Sequence, residues 1–312
     1  MEQPDINYGK YHVPDLQLGS RYTDPEEQLL IKRQVDLFEK TAFEISAQIT
    51  KNYSTSFYWA SRILDREMRY AIYAIYGFVR FADEIVDTFH HTDKKQVLEL
   101  FERDYMEAIE NGISMNPVLH SFVLVMRKYN ISPSLVDAFL SSMKKDLDKK
   151  TWLVPGELDE YIYGSAEVVG LMCLKVFVNG CSSFYEELEE PARKLGSAFQ
   201  KVNFLRDMKD DAALLGRSYF PDFTVEKYGD NLSRKLVNEI RDEFMVARSG
   251  IEKLPGRSKL AVYIAWVFYL RLLKKIERAP AGNIMKMRVR ISNPVKFVLF
   301  LYSVIRYKFG LI

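Results

Sequence analysis

Cysteine is scarce in this chain of 312 residues: Cys173 and Cys181 stand eight apart in an apolar segment, with no further Cys or His cluster beside them. That excludes a disulfide framework and a zinc site, and it fits a reducing compartment. Proline is thinly spread too, with none between Pro25 and Pro117, which permits long uninterrupted helices. No run of eighteen uncharged apolar residues occurs, and the opening "MEQPDINYGKYHVPDLQLGS" lacks the apolar core of a secretory signal, so neither a membrane-crossing helix nor export is expected. Period-2 strand patterns are missing, no Asn-Gly or Asp-Gly turn joins two alternating segments, and no Gly-x-Gly-x-x-Gly fingerprint is present.

Acidic residues are absent from Ala279 to Ile312, where Lys286, Arg288, Arg290, Lys296, Arg306 and Lys308 give +6; with +2 for the whole chain, the remainder carries −4. So small a net charge argues against nucleic acid as a partner. The basic, apolar "NPVKFVLFLYSVIRYKFGLI" suits either a membrane surface or a docked helix with solvated cations.

What is present is helical. Apolar residues recur at three and four, as in Ile72, Ile75, Tyr76 and Val79, followed by Ile85 and Val86. Prolines sit like helix starts: Ser132 with Pro133, and again Pro191 in "EEPARKLG". The expectation is a single all-α domain over residues 31–312, of roughly eight to ten helices, preceded by a surface extension over residues 1–30 that lacks helical periodicity.

Two acidic stretches carry the chemistry. In "FADEIVDT", Asp83 and Asp87 are four apart, about 400° of rotation and ~6 Å of rise on a helix, so both carboxylates leave one face. A lone pair of this kind is often only the wet edge of a helix. "NFLRDMKDD" repeats the spacing with Asp207 and Asp211 and adds Asn203 one turn earlier. If the two faces meet across a bundle, four carboxylates and an amide oxygen form oxygen ligation suited to Mg²⁺, with Mn²⁺ as a substitute, and such an ion calls for a phosphorylated ligand. Arg80, Arg206 and Arg217 lie beside the acids; each is ordinarily an ion-pair partner, and together they resemble a diphosphate clamp. Phe57, Trp59, Tyr73 and Tyr76 offer aromatic walls, and Gly164, Ser165, Ala166 and Gly170 are small enough to leave room for a long apolar ligand, though a plain helical core has the same composition.

"STSF", "AIYAIYGFVRFADEIVD", "YIYGSAEVVGLM", "QKVNFLRDMKDD" and "GRSYFP", in this order, resemble the signature blocks of the squalene/phytoene synthases, head-to-head prenyltransferases of the all-α isoprenoid synthase fold. The likeness runs from about residue 40 to about residue 300. It implies that Asp83, Asp87, Asn203, Asp207 and Asp211 hold the metal and that Gln200 is the polar residue preceding the second motif. It also implies that Ser54, Ser56, Arg80, Tyr161, Arg206, Arg217, Tyr269 and Arg288 position or neutralise diphosphate, and that Phe57, Tyr73, Tyr76, Ala166 and Gly170 line the prenyl cavity. Arg80 and Tyr161 stand with the aspartates as catalytic residues. Departures are Glu84 where relatives repeat Asp, Glu167 where they carry a small residue, and Tyr53 and Thr55 where many have a basic one; Glu84 is read as a solvent-facing or outer neighbour of the metal ligands.

The implied reaction condenses two prenyl diphosphates through a cyclopropylcarbinyl diphosphate. The small Ser61, one turn after Phe57, favours geranylgeranyl groups and hence phytoene. Squalene, which requires NADPH, and dehydrosqualene are the farnesyl alternatives, and a non-catalytic assembly-factor relative is the remote one. A cytoplasmic protein touching membrane at its periphery is expected; the sequence leaves oligomeric state open.

Overall fold

Helix α1 (Pro25–Tyr53) opens where Asp24 accepts the Glu26 N–H at 2.9 Å and Pro25 takes the first helical position, the arrangement proline and a short acid favour. This computed structural model describes residues 24–148, 151, 156–210, 219–220, 231–279 and 289–312. The helix thus begins ahead of the boundary expected at residue 30, and most of the expected extension lies outside the described residues. A short α2 (Thr55–Ser61) leads into α3 (Arg66–Asp87), then α4 (Lys94–Asn111), α5 (Pro117–Tyr129) and α6 (Pro133–Asp148). Caps set these boundaries: Asp93 accepts from Lys95 and Gln96 N–H, Asn116 accepts from Val118 N–H, and Ser132 accepts from Ser134 N–H ahead of Pro133.

Helix α7 (Glu157–Ile162) continues through a wider π turn (Tyr163–Glu167) into α8 (Val168–Phe177); α9 (Ser182–Asp210), α10 (Asn231–Ile251), α11 (Gly256–Glu277) and α12 (Asn293–Lys308) complete the bundle. The fold is all-α, and no strand forms among the described residues. Among the described residues, twelve helical segments exceed the expected eight to ten because α2 is a separate short piece and the π turn divides one rod in two. Pro191 does not start a helix; it lies inside α9. Its ring packs where α10 has Gly250, at which a Cβ would stand 2.3 Å from Pro191 Cβ, so the kink-prone residue is accommodated by a neighbour without a side chain.

Phe78 centres the first core. It is fully buried and stacks on Phe122 at 4.0 Å between centroids, with Phe101, Tyr105 and Phe139 at 5.4, 5.6 and 5.9 Å. One side chain of α3 thereby ties α4, α5 and α6 together, each aromatic contact worth about 0.5–1.5 kcal/mol beyond burial. A second core joins α9 to α12 through Val202, Leu205, Ile240, Phe244, Trp266 and Ile276. Between α9 and α10 a polar seam is buried with it: Glu243 accepts from Ser197 Oγ at 3.0 Å and from Lys201 Nζ at 2.9 Å.

His120 on α5 is buried 4.8 Å from the Phe38 ring, and among the described residues neither ring nitrogen has a hydrogen-bond partner. Burial, and secondly the Arg127 guanidinium, push its pKa down to about 4. The unfolded chain therefore takes up this proton first, and stability falls as pH drops from the ordinary 6.5 towards about 4. Urea unfolding across this range is expected to show that loss, reduced in His120→Leu; an identical pH slope in the variant would assign the acid sensitivity to other groups.

Candidate active site

On α3, Tyr76, Arg80, Asp83 and Asp87 follow one another at four, three and four residues, so they form a single stripe on the face opposite Phe78. Ion pairing with Glu84 holds Arg80, whose guanidinium carbon stands 4.5 Å from the centre of the Tyr53 ring. Glu84 is thus a largely covered partner of Arg80, with 12% of its side chain accessible; of the two expected placements the solvent-facing one does not hold. Tyr53, noted in the sequence only as a departure, supplies the ring under that cation. Arg80 Nε is buried with no acceptor among the described residues.

On α9, Gln200, Asn203 and Asp207 share a second stripe. Arg206 donates to Asp207 through Nε at 2.9 Å and through a second nitrogen at 2.5 Å. Burial alone would lower the Arg206 pKa; Asp207 and a hydrogen bond with Tyr269 outweigh it and hold the guanidinium above its ordinary value.

Tyr269 on α11 connects the two stripes. Its hydroxyl donates to Asn203 Oδ1 at 3.2 Å and its ring stacks on Phe199 at 3.9 Å. The same phenol acts electrostatically on Tyr76: burial raises the Tyr76 pKa, Asp83 and Tyr269 add to it, and Arg80 and a hydrogen bond with Ser54 oppose it. Ser54, at the α1–α2 junction, therefore meets the α3 stripe at Tyr76. Ser56 is the second residue of α2, and only its backbone belongs to the described structure.

The aromatics expected to wall a cavity are stacked on one another or on neighbouring rings. Phe57 stacks on Tyr76 at 5.2 Å, and Tyr73 stacks on Tyr58 at 5.4 Å while donating to the Tyr58 carbonyl at 3.2 Å. Burial pushes the Tyr73 pKa up to about 12, against a smaller opposing effect of its hydrogen bond with Ser61. Ser61 leaves no open depth: it is buried and its hydroxyl turns back to the Phe57 carbonyl.

The small residues serve helix contact. A Cβ at Gly170 would stand 3.1 Å from the Ala192 carbonyl oxygen on α9, and one at Gly164 would meet the Ala138 carbonyl oxygen at 2.6 Å on α6. Across from the π turn, a Cβ at Gly196 would lie 2.8 Å from the Ala166 carbonyl oxygen. Gly170 is thus absorbed by packing against α9. Tyr161 is committed as well: its hydroxyl donates to Asp146 at 2.8 Å, and its ring lies 5.8 Å from Tyr219 and 6.2 Å from Phe204. Asp146, Phe204 and Tyr219 escaped the sequence reading because only the fold brings them to Tyr161.

Asp211, Arg217 and Arg288 lie outside the described residues. Among those described, no three His, Cys, Asp or Glu side chains converge as one metal-binding group. The carboxylate and amide donors on the two described stripes are all oxygen, the chemistry that suits a hard cation such as Mg²⁺.

Glu167, in the π turn, is buried and accepts from Arg193 Nε at 2.7 Å, which resolves its role as an ion-pair partner of α9. Arg193 keeps 44% of its side chain accessible against 11% for Glu167, so the two ends are unequal. Arg193→Ala strands a covered carboxylate and is expected to cost about 1–3 kcal/mol in urea unfolding, whereas Glu167→Ala leaves the arginine in water and costs less. Equal losses would show the pair to be no more than a surface bridge.

The family model described as Squalene/phytoene synthase matches residues 50–294. A "Phytoene synthase" of Arthrospira platensis is 28% identical over 263 residues, covering 76% of this chain and 84% of that protein. A "15-cis-phytoene synthase" of Pantoea ananas is 26% identical over 272 residues, covering 80% and 86%. Among solved structures, a dehydrosqualene synthase in complex with ligand superposes with TM-score 0.75 at 23% identity, over 86% of this chain and 98% of that one. A squalene synthase from Alicyclobacillus acidocaldarius gives 0.67 at 21%, over 78% and 96%; at such identity these two bear on the fold alone.

Proposed function

The chain belongs to the squalene/phytoene synthase family, and on that footing we propose that it joins two geranylgeranyl diphosphates head to head, releasing two diphosphates and two protons, one on closing the cyclopropane and one on forming the final double bond, to give phytoene. The observation that carries this reading is the pair of oxygen-rich stripes on α3 and α9, both reached by Tyr269. Two phytoene synthases among the relatives support the substrate.

In this reading Asp83 and Asp87 on one helix, with Asn203 and Asp207 on the other, hold Mg²⁺. The bound ion neutralises charge on the departing diphosphate. Arg80 and Arg206, both ordered in advance by carboxylates, add fixed positive charge at the same end, and Ser54 and Tyr269 orient the phosphate oxygens. Asp211, Arg217 and Arg288 are assigned to the same end by the family resemblance. Phe57, Tyr73 and Tyr76 present ring faces to the allylic cation and exclude water from it. Tyr73, with a pKa of about 12, and Tyr76, also raised, stay protonated at neutral pH. A neutral phenol is a poor proton acceptor, so the last proton goes to released diphosphate.

The closed Ser61 supports a second reading, in which two farnesyl diphosphates give dehydrosqualene, or squalene where NADPH supplies hydride. Incubating the protein with each diphosphate and Mg²⁺, with and without NADPH, and identifying the hydrocarbon decides among them. The expected product is phytoene from geranylgeranyl diphosphate without NADPH. A C30 hydrocarbon would replace the reading by the second, and no diphosphate release from either substrate would leave a binding protein without catalysis.

Asp83→Asn and Asp207→Asn are each expected to lower diphosphate release about a hundredfold or more, with the folded state retained by circular dichroism. Turnover should vanish on chelation and return with Mg²⁺ or Mn²⁺; an unchanged rate in either variant would move the metal elsewhere.

A further inference from the structure

Helix α12 lies antiparallel on α11, tied at one end by Lys275 Nζ donating to the Arg290 carbonyl at 2.5 Å and at the other by Tyr307 Oη donating to the Gly256 carbonyl at 3.1 Å. Leu299 and Ser303 face inward, Ser303 being fully buried. The outward face is apolar: Phe297 and Val298 are each 62% exposed, Leu301 43%, Ile305 54% and Phe309 75%. At 100° per residue these side chains and Tyr302 fall within an arc of about 140°. Scattered exposed apolar residues are ordinary, but a contiguous stripe of this size marks a contact surface.

Charge identifies the contact. Lys308 falls within one edge of the arc and Arg306 beyond the other, and no acidic residue occurs from Ala279 to Ile312. Arg306 is held in place by the Tyr302 hydroxyl at 3.1 Å and the Leu311 carbonyl at 2.8 Å. Glu252, the acid it senses, is already bonded to Arg248 at 2.8 Å. A second copy of the chain on this face would set cations against cations with no acid on the helix to pair them. No helix among the described residues is long and apolar enough to cross a membrane. An apolar stripe edged by cations is what a helix lying in the headgroup plane presents.

We propose that the outward face of α12 docks on an anionic lipid bilayer, with Phe297, Leu301, Ile305 and Phe309 entering the acyl boundary and Arg306 and Lys308 meeting lipid phosphates. The surface is independent of the condensation reaction, and its test uses no prenyl substrate. The full chain is sedimented with sucrose-loaded vesicles of phosphatidylcholine alone or of phosphatidylcholine and phosphatidylglycerol in equal parts. Binding is expected to the mixed vesicles, weakened by salt, and reduced on the order of tenfold or more in Leu301→Glu/Ile305→Glu. Phe309→Ser, at the most exposed position, should weaken binding severalfold even if the double variant unfolds. Wild-type protein that ignores both vesicle types overturns the proposal. So do variants that bind like wild type, or a self-associating chain whose dimer, not its vesicle binding, is lost in Phe309→Ser.

Discussion

The stacking of Phe78 against Phe122 fixes the rotation of α3, and the rest of the site depends on that rotation. A helix with an aromatic core on one side has one way of presenting its other side. Turning α3 by a single residue, about 100°, would expose Phe78 and drive Asp83 towards Phe101 and Phe139. Burying an ionised carboxylate without partners costs several kcal/mol even after relaxation, so core and site select the same rotamer of the whole helix. The placement of Asp83 and Asp87 is therefore enforced from behind, by the core face of the same helix.

Small residues do comparable work between α9 and its neighbours. Gly170, Gly196 and the π turn let the backbones of α8 and α9 approach to carbonyl contact, and Glu167 pairs with Arg193 across the same seam. These contacts hold α9 at fixed depth and hence the height of Asn203 and Asp207 relative to α3. Tyr269 then spans the remaining gap from α11. Its hydrogen bond to Asn203 and its influence on Tyr76 make it a side chain that senses both stripes.

The acid spacing, the cap at Ser132 and the helical period were legible in the sequence because each is local, settled within about one turn of chain. What stayed hidden was the choice of partner. Glu84 could face water or Arg80 with the same local sequence, and Glu167 could ligate, pair or turn away. Small residues at Gly164 and Gly170 suit a cavity and a tight helix contact equally well; only the neighbour across the gap decides. Pro191 failed as a helix start for the same reason: its cost was absorbed by Gly250, some sixty residues on and on another helix.

In the proposed reaction, a site that generates carbocations in a dry pocket needs strong positive charge at one end and no base along the walls. The two ends here are kept apart by their surroundings. Arg80 and Arg206 are pinned by Glu84 and Asp207, so their charges stand in place before a ligand arrives and need no reorganisation when a diphosphate departs. Further along, burial raises the phenols of Tyr73 and Tyr76, which keeps both rings neutral. The same burial that shields these rings from water thus keeps their phenols protonated.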